Sequence, residues 1–361
     1  MNRHKQNGVA LFMVMIILVI MTLLGLSMMD TASLEIRMAK NYEDGVTAFQ
    51  EAENGLAEAR YDATADFDSM VLGHFVDGNT SSWVSYKYTV VQVFDEGAMG
   101  NGLQGITVRS VGQTTTGAVR TVGQHLAKGN IPANINSALS LHPAGSVTLK
   151  GNSTISGYNW DIPTDFDCNS SGCTGSLNGT DDGIGVYSDT DVGDLTEIGS
   201  TTLEGSPATQ NGGGAYDQDY WMEWANNMIP FATVFSGADA DGNPTSWGTI
   251  DNPVVHVIDQ SMVVGGSLDA AGILIITGDN TEVIINGNFH CECLIVAASP
   301  TAITFTVGGT ARIFGAVVAA SPSVEIDVGA TGTPGIYFSL EALANLDTVS
   351  KVRVLGWFEE R

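Results

Sequence analysis

Four cysteines in two close pairs carry the most obvious chemistry in this chain. Cys168 and Cys173 bracket a polar loop in the string CNSSGC, and Cys291 and Cys293 sit two apart in HCEC. An even cysteine count is compatible with an oxidising compartment, where the thiols are held as disulfides. Cys168 can close on Cys173 across its tight loop. An extended i, i+2 pair lies at the upper edge of disulfide reach, so a Cys291–Cys293 bond is expected to be strained, and pairing across the two clusters stays open. His290 beside them invites a metal site, but on a strand it faces away from both cysteines.

Carboxylates form the second group. The stretch DTDVGDLTE offers Asp189, Asp191 and Asp194, and ADADGNPTSW offers Asp239, Asp241 and Asn243. Alternating oxygen ligands around a glycine turn suit a hard cation such as Ca²⁺. Neither stretch has the ligand series and terminal Glu of an EF-hand loop, so ordinary Asp- and Gly-rich turns remain the competing reading. Ca²⁺ is the one cofactor these residues point to. Catalytic signatures are missing: there is no G-x-S-x-G elbow, no H-E-x-x-H and no P-loop. Catalysis on an acidic polysaccharide wants a basic residue near the developing charge. Between Gly151 and Ala311 there is no Lys or Arg, against about twenty Asp and Glu. The chain is not expected to be an enzyme.

These side chains need elements to hold them. The 361 residues carry 14 Lys and Arg against 40 Asp and Glu, a net charge of −26. That balance excludes nucleic acid as a partner, since nothing would neutralise a phosphate backbone. With 43 Gly and only 15% charged residues, the composition fits a β-rich extracytoplasmic protein.

The N-terminus is different. Behind Arg3 and Lys5, residues Val9 to Met29 form a 21-residue run without a charge. That is long enough to cross a bilayer and longer than a secretory h-region. Positive charge before the span, with Asp30 and Glu35 after it, puts the first residues in the cytoplasm and the remainder outside the inner membrane. The pattern continues as helix. Leu34, Ile36, Met38, Val46, Phe49, Ala52, Leu56 and Ala59 keep helical spacing, with Glu51, Glu53 and Glu58 on the other side. One helix of roughly 50 residues is expected, with Gly45 and Gly55 as soft points costing about 1 kcal/mol each.

A short basic leader ending in Gly8, an apolar helix starting at Val9, and the strings LLGLS, LE.RMA.N and AFQ.AE..L in that order resemble the type IV pilin class, and within it the PilX-type minor pilins. The resemblance covers roughly the first 60 residues. It implies cleavage between Gly8 and Val9 by a prepilin peptidase and methylation of the new amine on Val9. Major pilins carry a Glu at the fifth position after the cut; here that position is Met13. In the family picture that Glu neutralises the terminal amine of the subunit ahead. A carboxylate at membrane depth costs about 2.5–3.5 kcal/mol, so a subunit with nothing ahead of it does better with Met. The resemblance therefore implies a minor pilin that primes pilus assembly and sits at or near the tip. Its partners would be other minor pilins and a PilY-type tip adhesin. Two other readings stay open: the tip pseudopilin of a type II secretion system, and a stand-alone membrane-anchored adhesin.

Downstream, SYKYTVVQV alternates as a strand, and GITVRSVGQTTTGAVRTVGQHLAK reads as two strands around a turn at Thr116–Gly117. Lys87, Arg109, Arg120 and Lys128 concentrate here, either as solvated faces or as contacts to neighbouring pilins. From about Asn136 short apolar runs recur, with strand starts at Ile273, Leu294 and Ala316 about 21–22 residues apart. This repeat reads as four to six coils of a right-handed parallel β-solenoid, with a β-sandwich as the alternative. The string DQDYWMEWANNMIPFATVFS reads as a helical insertion, whose Tyr220, Trp221, Trp224, Met228 and Phe231 form either core or a ligand platform, for instance for a glycan.

The expected architecture is thus α+β. Residues 1–8 are a leader, 9–63 the pilin helix with 9–29 in the membrane, 64–132 an antiparallel head, and 136–345 a mainly-β domain with the insertion near 217–235.

Overall fold

The computed structural model describes residues 7–81, 84–95, 99–142, 146–162, 177–178, 180–189, 194–232, 234–236, 247–346, 349 and 352–360. The chain divides into two compact units. One comprises Met1–Gln92, Ile106–His125 and Val354–Arg361; the other comprises Val93–Gly105 and Leu126–Arg353.

The first unit is built on α1 (Asn7–Ala65), 59 residues without a break. No proline interrupts it, and Leu, Met, Ala and Ile dominate its first half, so helix propensity and apolar length act together. Every side chain from Leu11 to Glu43 is exposed. The second half is anchored by a narrow seam, Ala48, Ala52, Leu56, Ala59 and Ala63, all buried. The intervals of three and four residues keep this seam on one face of the helix. Glu51, expected on the solvent side, is buried as well, because it flanks the seam next to Ala52. Val46 and Leu34, expected on the apolar face, remain exposed.

A five-stranded sheet lies on that seam: β1 (Phe75–Ser81), β2 (Val84–Phe94), β3 (Leu103–Thr114), β4 (Val119–Gly129) and the last strand, β22 (Arg353–Glu360), in that order. β1 and β2 are antiparallel. β3 and β4 are joined by a turn in which Gly117 donates to the Thr114 carbonyl, as the sequence predicts. A Cβ at Gly112 of β3 would collide with the backbone of Ala48 and Ala52, so only glycine lets strand and helix meet at this distance. β22 returns from the far end of the chain, a pairing the local pattern does not announce. It is held by Arg109–Glu360 at 2.6 Å and Arg120–Glu359 at 3.7 Å. Phe358 fills the space over Gly123, and the Trp357 Nε1–H donates to Glu53 at 2.7 Å. Two of the basic residues of this unit thus serve contacts within the chain.

The second unit is mainly β. Its strands in chain order are β5 (Ser137–His142), β6 (Ser146–Gly151), β7 (Thr154–Ser156), β8 (Ile184–Ser188), β9 (Asp194–Gly199), β10 (Thr202–Glu204) and β11 (Thr209–Asn211). After α2 (Gln218–Met228) come β12 (Val234–Ser236), β13 (Val254–Ile258), β14 (Met262–Val264), β15 (Ser267–Ile276), β16 (Thr281–Ile285) and β17 (Asn288–Ala298). β18 (Ala302–Gly309), β19 (Arg312–Ala320), β20 (Ser323–Gly332), β21 (Gly335–Phe338) and α3 (Leu340–Asn345) complete it. They form an eleven-stranded and a six-stranded sheet. From β13 to β20 the chain alternates between the two sheets, and each strand pairs in parallel with the next but one. Ser267 pairs with Asn288 and His290 with Arg312, steps of 21 and 22 residues. Ile273, Leu294 and Ala316, the strand starts read from the sequence, stand side by side in register.

Burial explains the two textures of the strands. In the six-stranded sheet one face is solvated, and β16 and β18 alternate: Val283, Ile285, Phe305 and Val307 point in, while Glu282 points out. β17 and β19 of the larger sheet are buried on both faces. The smaller sheet shares their inner core, and α2 and α3 pack on them. Doubly covered parallel strands read as continuous apolar runs. The turns between sheets are made by glycines stacked one above another, Gly266, Gly287, Gly309 and Gly332, each at positive φ between 68° and 92°. A Cβ at Gly287, Gly309 or Gly332 would strike the glycine beneath it.

Candidate functional site

The first candidate is the free half of α1. Gly8 and Val9 lie in its first turn, inside continuous helical backbone, while residues 1–6 fall outside the described residues. Met13 is exposed at 58%, as are its apolar neighbours from Leu11 to Met29. This helix contains an 18-residue stretch of mean hydropathy 2.7, long and apolar enough to cross a membrane. Burial is worth about 25 cal/mol per Å² of apolar surface. A cylinder of Leu, Ile, Met and Val therefore needs lipid or other helices around it, and a membrane anchor fits that need.

The cysteines resolve in part. Cys291 and Cys293 are bonded to each other with Cα atoms 5.4 Å apart, well inside the usual range. Cys293 stands in register between Gly272 and Gly315, whose φ values of 137° and 131° mark a corner shared by successive strands. β17 turns that corner with a bonded pair where its neighbours use glycine. Cys168 and Cys173 lie outside the described residues. His290 packs edge-on against Phe314 at 5.4 Å, and burial, helped by Arg312, lowers its pKa to about 4.

Of the proposed Ca²⁺ ligands, Asp191, Asp239, Asp241 and Asn243 lie outside the described residues, and Asp194 is described only as backbone in β9. Among the described residues no three His, Cys, Asp or Glu side chains converge as metal ligands. Asp189 is engaged otherwise. Its Oδ2 accepts from His142 Nδ1 at 2.9 Å and its Oδ1 accepts from the Tyr187 hydroxyl at 2.9 Å. The Gly214 N–H donates to the same hydroxyl at 2.8 Å. Burial holds the His142 pKa below its ordinary value, against the pull of Asp189, so the imidazole is a neutral donor at neutral pH.

The aromatic stripe of α2 divides in two. Trp221, Trp224, Met228 and Phe231 are buried core, and the Trp224 Nε1–H donates to the Asn130 carbonyl at 2.9 Å. Asp217 caps the helix by accepting from the Tyr220 N–H at 2.9 Å. Tyr220 instead stacks on Tyr216, with centroids 4.1 Å apart and planes at 25°. This pair borders a cleft of about 530 Å³ whose lining includes Tyr187, Asp189, Asp219 and Glu223. Tyr187, Tyr216 and Glu223 were not foreseen. They come from β8, a loop and α2, and nothing local in the sequence marks residues that only folding brings together.

Comparison with known proteins matches residues 7–57 to the PilX N-terminal family. The strings LLGLS, LE.RMA.N and AFQ.AE..L all fall within that stretch, so the resemblance holds there. No curated protein matches at a significant level. Among solved structures, the competence-associated pilin ComZ from Thermus thermophilus aligns over 88% of this chain and 98% of that one, at 12% identity and a TM-score of 0.27. A superposition that loose bears on neither fold nor role.

Proposed function

We propose that this chain, type IV pilin-like in its N-terminal region, is a minor pilin that primes filament assembly and stands at or near the pilus tip. The observation that carries the reading is the free half of α1. An apolar helix bare from Leu11 to Met29 continues into a sheet-anchored half, and the stretch 7–57 matches the PilX N-terminal family. Such a helix waits in the inner membrane and then packs laterally with its equivalents in other pilins. The role is structural, not catalytic.

The finer steps are those the family resemblance implies for the start of the helix. The prepilin peptidase cuts between Gly8 and Val9 and the new amine on Val9 is methylated. Met13, in place of Glu, removes the need for an amine to neutralise ahead, which suits a first-entering subunit. The alternation of consecutive strands between two sheets, at steps of 21 and 22 residues, supports reading the second unit as a right-handed parallel β-solenoid. Parallel crossovers of one hand are the strong rule in such sheets. A unit of this size, with no Lys or Arg from Gly151 to Ala311, suits display at a tip better than packing in a shaft. There it would meet other minor pilins and a PilY-type adhesin and serve adhesion or partner binding.

The deciding experiment is the N-terminal mass of the membrane-extracted protein from cells with and without the prepilin peptidase. A methylated Val9 terminus that requires the peptidase is the expected result. An intact Met1, or a cut after Met29, would remove the filament role. Copurification with pilus rather than secretion components then separates the two kinds of filament.

A further inference from the structure

Two hollows in the β unit share a wall. One is the open cleft of about 530 Å³ beside the Tyr216–Tyr220 stack. The other is a chamber of about 20 Å³, the size of one hydroxyl or water. Tyr187, Gly214, Ala215 and Tyr216 line both.

Trp221 lines the smaller chamber and is 2% exposed, yet its indole Nε1–H has no hydrogen-bond partner among the described residues. A buried donor left unpaired costs about 1–3 kcal/mol; the indole of the neighbouring Trp224, by contrast, donates to the Asn130 carbonyl. Trp221 thus asks for an acceptor oxygen. The outer cleft asks for the opposite. Asp219 and Glu223 on its wall are acceptors, and Glu223 already takes one bond from Asn101 Nδ2 at 2.8 Å. The Tyr216 and Tyr220 rings add apolar faces, both braced edge-on by Trp221 at 5.6 Å.

Few ligand classes meet all three demands. A metal ion or an ammonium group satisfies carboxylates but cannot accept from an indole N–H. An acidic sugar is repelled, since the cleft lining contains carboxylates and no Lys or Arg. A neutral saccharide has hydroxyls that both donate and accept, and a C–H face that packs on aromatic rings. We propose that this cleft binds a neutral saccharide. One hydroxyl enters the smaller chamber and accepts from Trp221 Nε1–H. The sugar ring lies against Tyr216 and Tyr220, and further hydroxyls donate to Asp219 and Glu223. The proposal deepens the adhesive reading of the β unit and rests on it. The pilin reading is tested separately, by the N-terminal mass.

The test is calorimetric titration of the full chain in detergent. The neutral probes are di- and trisaccharides of glucose, galactose, mannose and N-acetylglucosamine. A galacturonate trimer and a lysine tripeptide are titrated alongside. The expected result is saturable binding of at least one neutral probe, with a change in tryptophan emission. Tyr216→Ala and Asp219→Asn should each weaken it, the first by about tenfold or more, which is about 1.4 kcal/mol. Asp219 is exposed, so Asp219→Asn keeps the test open should Tyr216→Ala unfold the unit. No neutral probe binding at millimolar concentration overturns the proposal. So does binding confined to the galacturonate or lysine probe, or neutral binding that a folded variant leaves unchanged.

Discussion

Glu292 is buried, and neither carboxyl oxygen is hydrogen-bonded among the described residues; burial, reinforced by Glu341, raises its pKa to about 8. His256 and His290 are displaced the other way, to about 4, chiefly by burial. Their signs make a definite prediction. The unfolded chain protonates its histidines near pH 6.5, and the folded chain refuses those protons until about 4, so stability falls as pH drops through that window. Folded Glu292 keeps its proton to about pH 8, whereas the unfolded carboxyl releases it near 4.5, so this group destabilises as pH rises from 4.5 to 8. Two histidines outweigh one carboxyl below pH 6.5; above it the carboxyl acts alone. The stability of the β unit should therefore peak near pH 6.5 and fall by about 1 kcal/mol by pH 8. Urea midpoints across pH 5–8 check this, and Glu292→Gln should abolish the alkaline fall. A midpoint still rising at pH 8 would contradict a neutral Glu292. The half-exposed pair Arg109–Glu360 belongs at the other end of the scale: Arg109→Ala should shift stability by less than about 1 kcal/mol.

At the scale of elements, two contacts depend on the absence of a side chain. Gly112 lets β3 rest on the α1 backbone at Ala48 and Ala52. Gly112→Val should separate strand from helix and destabilise the first unit by about 2–3 kcal/mol, read as an earlier melt of that unit. The turn ladder through Gly287 and Gly309 is similar. Gly309→Val adds a left-handed backbone penalty of about 1–2 kcal/mol to a collision with Gly287. A melt unchanged by Gly309→Val would mean that the stacked turn does not constrain the strands it joins. The PilX-type strings were legible because they lie within one helix, where spacing alone sets the face. The 21- and 22-residue steps were legible for a related reason: each step repeats a local pattern of apolar run and glycine turn.

At the scale of the whole molecule, the bare apolar half of α1 governs behaviour in solution. A chain beginning at Asp30 should be monodisperse without detergent, whereas the full chain should associate, since residues from Leu11 to Met29 are uncovered. Sedimentation of both forms checks this. If the full chain sediments as a monomer in plain buffer, the free helix is covered in some way the fold does not display.

The sequence by itself determined what depends on near neighbours along the chain. That includes the helix and its charge asymmetry, the PilX-type N-terminal strings, the hairpin at Gly117, and the register of Ile273, Leu294 and Ala316. It could not determine what depends on distant segments meeting. The return of β22 to the first sheet joins residues far apart in sequence. The place of Cys293 between Gly272 and Gly315 of adjacent strands is set by that register, which its own segment does not announce. The cleft joins Tyr187, Tyr216 and Glu223 from three separate segments. Local spacing fixes which way a side chain faces on its own element, but only the tertiary fold decides what it faces.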